Sequence, residues 1–110
     1  MAFTAYHNLT GASGVYPELL APGDNVNSIK SILVANTHAT ATAEIGLFIQ
    51  NDPEEGKTLT FYLFKKISIP SGVSLLLDDS SMLSFDNSSD GYGLYMFIQS
   101  GDTIDVFINR

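Results

Sequence analysis

Apolar and polar residues alternate along most of this 110-residue sequence. Between Thr40 and Gln50 every odd-numbered position is alanine, isoleucine or leucine, and Thr103 to Asn109 repeats the pattern. Successive side chains of a β-strand point to opposite faces, so a period of two predicts strands that bury one face. No window shows the 3.6-residue period of an amphipathic helix. The sequence therefore predicts an all-β fold.

Turns rich in glycine, proline, asparagine and aspartate divide the alternating runs into eight or nine short strands. The predicted strands span approximately residues 2–10, 15–19, 26–36, 40–50, 57–68, 73–77, 82–85, 92–99 and 103–109. Lys65 interrupts the apolar stripe of the fifth strand, which indicates either a β-bulge there or an early exit of the strand from the core. Evenly spaced short strands are typical of antiparallel sandwiches. We predict one antiparallel, jelly-roll-like β-sandwich over residues 1–110, in which residues 1–21 form an N-terminal arm or an edge strand.

The composition narrows the functional classes. Twelve acidic residues against five basic ones give a formal net charge of −7, and nucleic-acid binding needs clustered basic residues, so we expect none. The absence of cysteine excludes disulfides and thiolate metal sites. No apolar run approaches the length of a membrane span and the N-terminus lacks the pattern of a secretion signal, so we expect no membrane association.

The residues that could carry catalysis or bind a metal form no recognisable constellation. His7 and His38 are the only histidines; neither belongs to a nucleophile motif, and we expect both to face solvent. Asp86 and Asp90 match the first half of a calcium loop, but Phe97 stands where the bidentate glutamate should be. We predict no enzyme activity, no catalytic residue, no cofactor and no resident metal. Cation binding at Asp86 and Asp90 stays open.

Three predicted strands, at 26–36, 57–68 and 92–99, carry apolar residues on both faces. A two-layer sandwich buries only one face of each sheet. One interpretation is a small barrel with aromatic side chains on its surface. The interpretation that we favour is that the outer face of one sheet packs on another subunit, through four aromatic residues that point outward. These predicted interface residues are Tyr62, Phe64, Tyr95 and Phe97. We therefore expect the chain to form a homo-oligomer.

Three short motifs resemble segments of a known group of proteins. Residues 28–37 read SIKSILVANT, residues 69–75 read IPSGVSL, and residues 101–106 read GDTIDV. With these motifs, the stretch from Pro22 to Ile108 resembles small β-sandwich structural proteins of tailed bacteriophages. The resemblance implies a non-enzymatic virion protein, either a capsid decoration or cement protein or a neck or tail component. It also implies other virion proteins as partners and assembly in the host cytoplasm.

A carbohydrate-binding or host-receptor-binding module of a tail fibre is the alternative hypothesis. β-Sandwiches serve many unrelated functions, and exposed aromatic rings give sugars a surface to stack on. The chain has no tryptophan, so Tyr6, Tyr16, Tyr62 or Tyr92 would have to supply the platform. A small β-sandwich enzyme is a third hypothesis, which the lack of a nucleophile motif disfavours.

Overall fold

The computed structural model describes residues 3–12, 14, 16–26, 28–54, 57–79, 81 and 83–109. Within these residues the regular structure is eight strands in two four-stranded antiparallel sheets, without a helix. The strands are β1 (Phe3–Thr10), β2 (Glu18–Leu20), β3 (Ser31–Ala35), β4 (Ala43–Glu54), β5 (Lys57–Ile69), β6 (Ser74–Leu77), β7 (Gly93–Ile98) and β8 (Thr103–Asn109). The predicted antiparallel β-sandwich is therefore confirmed.

The strand order is that of a jelly roll. The first sheet has the order β1-β8-β3-β6 and the second sheet has the order β2-β7-β4-β5. Every neighbouring pair is antiparallel. The chain crosses between the sheets at each connection except the β4–β5 hairpin, which stays in the second sheet. This path produces the two Greek keys of a jelly roll.

The inward faces of the two sheets meet in one apolar core. β8 shows the alternation clearly, because Ile104, Val106 and Ile108 are buried while the residues between them are less so. Burying one such side chain stabilises the fold by about 1.5–3 kcal/mol. The largest fully buried side chains include Ile29, Ile32, Ile45, Leu47, Leu83, Leu94, Met96 and Ile98.

One predicted strand is absent from the structure. The described residues 83–85 form no strand, and the bridge between Ser84 and Ser28 is an isolated one. The amide of Leu83 is used in a turn, where it donates to the carbonyl oxygen of Asp79 at 3.2 Å. A single bridged pair cannot extend into a ladder. Ser28 is the other member of this bridged pair, so the strand predicted over 26–36 is shorter in the structure. It is β3, which begins at Ser31.

Two of the sequence motifs are joined by a buried asparagine. The side-chain amide nitrogen of Asn36 donates to the backbone carbonyl oxygens of Ala41 and Ile69, at 2.8 and 2.9 Å. The backbone N–H of Gly72 donates to the Asn36 carbonyl oxygen at 2.9 Å, and Gly72 adopts a left-handed φ of 72° that favours glycine. These motif residues therefore hold β3 against the turn that precedes β6.

Between residues 62 and 67, β5 contains two extra residues relative to β4. Five positions separate its residues 62 and 67, whereas their partners 48 and 45 are three positions apart, and 5 − 3 = 2. The register partners are Ile67 for Ile45, Phe64 for Leu47 and Tyr62 for Phe48. The first irregularity includes Lys65, so the structure shows the β-bulge and not the early exit from the core.

Candidate interaction site

Five aromatic side chains form a cluster on the outer side of the second sheet, which we call the aromatic face. Three strands and the segment before β2 contribute to it. The members are Tyr16, Phe48 of β4, Tyr62 of β5, and Tyr95 and Phe97 of β7. Phe48 is the register partner of both Tyr62 and Tyr95, so these three rings form a row across the sheet.

Phe48 lies at the centre of the aromatic face. Its side chain points away from the main core, yet it is only 3% exposed because its neighbours cover it. Its ring centroid lies 5.6 Å from that of Tyr16 in an edge-on contact and 5.7 Å from that of Tyr95 in a stacked contact. Tyr62 lies 5.4 Å away. Aromatic pairs at such separations each contribute about 0.5–1.5 kcal/mol, so the cluster is preformed.

The row of rings ends in a carboxylate at one edge of the sheet and an ammonium group at the other. On β2, the Glu18 carboxylate accepts a hydrogen bond of 2.9 Å from the Tyr95 hydroxyl. On β5, the Lys65 Nζ lies 5.8 Å from the centroid of the Tyr62 ring. Burial raises the pKa of the Tyr95 hydroxyl, and the hydrogen bond and negative charge of Glu18 raise it further.

A groove of about 520 Å³ opens on the aromatic face. Its lining combines three aromatic rings with two of the five basic residues in the chain. The lining residues are Tyr16, Tyr62, Lys65, Lys66 and Phe97. The Lys66 ammonium also pairs with Glu44 at 3.1 Å. A groove of this kind suits a partner that presents rings or apolar groups beside carboxylates.

The structure brings three of the four predicted interface residues together. Tyr62, Tyr95 and Phe97 lie on the aromatic face. Phe64 does not, because the irregular register of β5 pairs it with Leu47 and packs it against the core. The prediction that Phe64 points outward beside Tyr62 is wrong, since simple alternation along β5 fails at the bulges.

Two members of the aromatic face were absent from the predicted interface. Phe48 had a signal in the sequence, because it is the one aromatic residue among the threonines, glutamate, glycine and glutamine on the polar side of its strand. Tyr16 had none, since it lies before β2 and reaches Phe48 and Phe97 only through the folded chain.

The four tyrosines of the carbohydrate-binding alternative lie in different places. Tyr16 and Tyr62 are 50% and 51% exposed and line the same groove. The Tyr6 hydroxyl points inward and donates to the carbonyl oxygen of Leu19. Tyr92 is half-buried, and its ring centroid lies 5.9 Å from that of Phe61. Two of the four tyrosines therefore share one surface.

The first sheet also carries exposed apolar side chains on its outer side. Consecutive register partners across β1, β8, β3 and β6 form a row that we call the outer row. Its members are Ala5, Phe107, Leu33 and Leu76. Beside it, Nδ1 of His7 lies 3.0 Å from the Asp105 carboxylate, and a groove of about 230 Å³ opens there.

The other polar candidates hold turns. His38 Nδ1 accepts hydrogen bonds from the amides of Thr40 and Ala41 at 3.1 and 3.0 Å. The exposed Asp86 carboxylate accepts one from the Ser88 amide at 3.0 Å, and its bonds to Ser88 lower the pKa of Asp86. In the part of the chain that the structure describes, no three His, Asp or Glu residues are grouped to hold a metal ion. The same residues include no helix long and apolar enough to cross a membrane.

No protein-family model matches this sequence, and no curated protein is significantly similar to it. The features of this chain that bear on its function are the jelly-roll topology, the aromatic face and the opposite charges at the two edges of that face.

Proposed function

We propose that this chain is a non-enzymatic structural protein of a bacteriophage virion, a capsid decoration or cement protein or a neck or tail component. It acts through protein–protein contacts made by the aromatic face. The observation that carries the proposal is a preformed apolar surface in which half-exposed Tyr16 and Tyr62 surround buried Phe48. Jelly rolls build viral capsid domains but also lectins and cupins, so the fold supports the proposal by analogy alone.

The aromatic face has the composition of a protein interface. Tyrosine and phenylalanine are enriched in the apolar centre of interfaces, and charged groups are found at the rim. Here the rings lie at the centre, and Glu18 and Lys65 lie at the two edges. Because ring contacts already hold Phe48, Tyr62 and Tyr95, docking would restrict little additional side-chain freedom.

The proposal is tested on purified particles of the phage whose genome encodes this chain. Mass spectrometry should find the chain at a fixed copy number per particle. A Tyr62→Ser/Phe97→Ser variant should fold but be lost from the particles, because it removes two rings that line the groove. A Leu33→Ser/Leu76→Ser variant, which alters the outer row of the other sheet, should be retained. Particles without the wild-type chain would contradict the proposal.

Carbohydrate binding is a second candidate, favoured by the position of Tyr16 and Tyr62 in one groove with Lys65 and Lys66. Sugar rings stack on tyrosine, and the lysines would favour an acidic sugar. A glycan array with wild-type protein separates the two proposals. Binding that disappears in a Tyr62→Ser variant would establish the sugar site and argue against a pure protein contact. An empty array is expected for a structural protein.

A further inference from the structure

We infer that the aromatic face docks against the same face of a second copy of this chain, about a two-fold axis that runs parallel to the strands. The inference rests on the proposed function, since it uses the aromatic face as a protein contact, and it adds the identity of the partner. The decisive feature is a row of side chains that carries opposite charges at its two ends.

The row is fixed by strand register. Glu18 pairs with Tyr95, Tyr95 pairs with Phe48, and Phe48 pairs with Tyr62. These residues cross all four strands of the second sheet, a distance of about 14 Å for three inter-strand spacings. The carboxylate of Glu18 lies at the β2 end, and the Lys65 ammonium lies over the ring of Tyr62 at the β5 end.

The direction of the axis decides which charges meet. A two-fold axis between the faces and parallel to the strands lays β2 of one copy over β5 of the other. Glu18 then faces the partner's Lys65, and the contact occurs twice because a two-fold interface repeats every contact. An axis perpendicular to the strands would instead lay β5 over β5, so that Lys65 would face its own copy. Only the parallel axis makes the aromatic face complementary to itself.

The distribution of charge, and not the net charge, favours a second copy as the partner. A net charge of −7 on each copy opposes association, so self-docking depends on the local contact of Glu18 with the partner's Lys65, which occurs twice about the parallel axis. The outer row of the first sheet gives no such preference for a partner. Its neighbouring polar groups, the His7 imidazole and the Asp105 carboxylate, already contact each other at 3.0 Å.

The size of the aromatic face sets the expected strength. The second sheet is four strands wide, and over a strand length of six residues, that of β7, it covers about 19 by 20 Å, or about 400 Å² in plan. Stable interfaces bury about 800 Å² on each partner, and smaller ones are weak or transient. We therefore expect a dimer that dissociates on dilution, with a Kd in the micromolar range of about 1–100 µM.

The test reverses one charge at each end of the row. Glu18→Lys would place lysine over lysine, and Lys65→Glu would place glutamate over glutamate. Each variant alone should associate at least about tenfold more weakly than wild type. An equimolar mixture of the two should regain a dimer close to wild-type affinity, because every glutamate then faces a lysine. Light scattering after size exclusion, over a series of loading concentrations, measures both effects.

The control is Lys30→Glu, the same reversal at an exposed residue just before β3 in the other sheet, and it should leave the dimer unchanged. Far-UV circular dichroism checks that every variant is folded. A wild-type dimer that the mixture does not restore would overturn the inferred axis. A wild-type monomer at about 1 mM, far above the expected Kd, would overturn self-docking altogether. Loss of the Tyr62→Ser/Phe97→Ser variant from particles would still support the proposed function in either case, so the two failures are distinguishable.

Discussion

Asn87 links two loops of the sandwich from a fully buried position. Its side-chain amide donates to the carbonyl oxygens of Ala21 and Tyr92, at 3.0 and 2.8 Å, and its side-chain oxygen accepts from the Val26 amide at 2.9 Å. Buried backbone groups need such partners, because water cannot reach them. One polar side chain therefore allows the chain before β3 to pack beside the chain before β7.

We predict that Asn87→Ala lowers the free energy of unfolding by about 3 kcal/mol, because it leaves three backbone groups without this side chain as a partner. Urea denaturation followed by circular dichroism measures the change. Ser89→Ala, at an exposed position two residues along, should change the free energy by less than about 0.5 kcal/mol. Equal effects of the two substitutions would mean that the Asn87 hydrogen bonds contribute little.

Tyr95 should make the free energy of unfolding depend on pH in the alkaline range. Burial first, and then Glu18, raise its pKa in the folded state above the unfolded value of about 10. A raised pKa stabilises the folded state below the unfolded pKa, and this contribution is lost as the pH rises through the folded pKa. We predict that the free energy of unfolding falls above about pH 10, and that Tyr95→Phe makes the fall smaller. Urea denaturation over a pH series measures both.

Glu18→Gln is the matched variant for this prediction. It removes the negative charge but not the burial, which is the larger cause of the raised pKa. The fall in stability should therefore be intermediate between those of wild type and Tyr95→Phe. An alkaline profile that is identical in all three proteins would contradict the prediction.

The β4–β5 hairpin is the most irregular strand pair in the sandwich, with three register shifts along its length. The bulge of β5 brings the Lys65 carbonyl oxygen so close to Gly46 that a Cβ at position 46 would overlap it. Bulges and lysines on an edge strand also hinder unwanted pairing with another sheet. The same irregularity therefore shapes the aromatic face and protects the edge at which Lys65 and Lys66 lie.

Gly46→Ala should destabilise the protein by about 2–3 kcal/mol, because the added methyl group meets backbone that cannot move aside easily. Gly72→Ala is the comparison. Position 72 has open space around it but a left-handed φ of 72°, for which we expect a smaller loss of about 1 kcal/mol. Urea midpoints of the two variants give the difference. A smaller loss at position 46 than at position 72 would contradict the predicted overlap.

Alternation in the sequence was sufficient to locate most strands, but it was not sufficient to predict which face each side chain of β5 occupies. The bounds of β8 were predicted to the residue, since its apolar and polar residues alternate without interruption. In β5 the sequence indicated a bulge or an early exit at Lys65 but could not show the further irregularities, which depend on how β4 aligns beside it. Each extra residue reverses the faces that follow it. That reversal explains the error at Phe64.

Across the whole molecule, the jelly-roll topology pairs strands that are distant in sequence. β1 pairs with β8, and β2 pairs with β7. The sequence predicted which faces are apolar but not which strands are neighbours, because a period of two is the same for any partner. It therefore predicted a sandwich, and three of the four aromatic residues that it placed on the outside do lie on the aromatic face, whereas the contact of Tyr16 with Phe48 depended on topology.

The two sheets share one core, so we predict that they unfold together. Ile104→Ala in the first sheet and Leu94→Ala in the second should each lower the free energy of unfolding by about 2–5 kcal/mol, since both side chains are fully buried. Far-UV circular dichroism and the near-UV signal of the tyrosines should give coincident urea transitions in each variant. Two separated transitions would show that the sheets unfold independently.

The pairing of β1 with β8 has a mechanical consequence. Phe3 is the register partner of Asn109 and Thr10 that of Thr103, so the described ends of the chain leave the first sheet side by side. A force that pulls these ends apart would open the antiparallel ladder one hydrogen bond after another, as a zipper opens, instead of shearing all of its bonds together. The domain should yield at low tension along its backbone. A large force would have to be transmitted through contacts on the faces of its sheets and not through its chain ends.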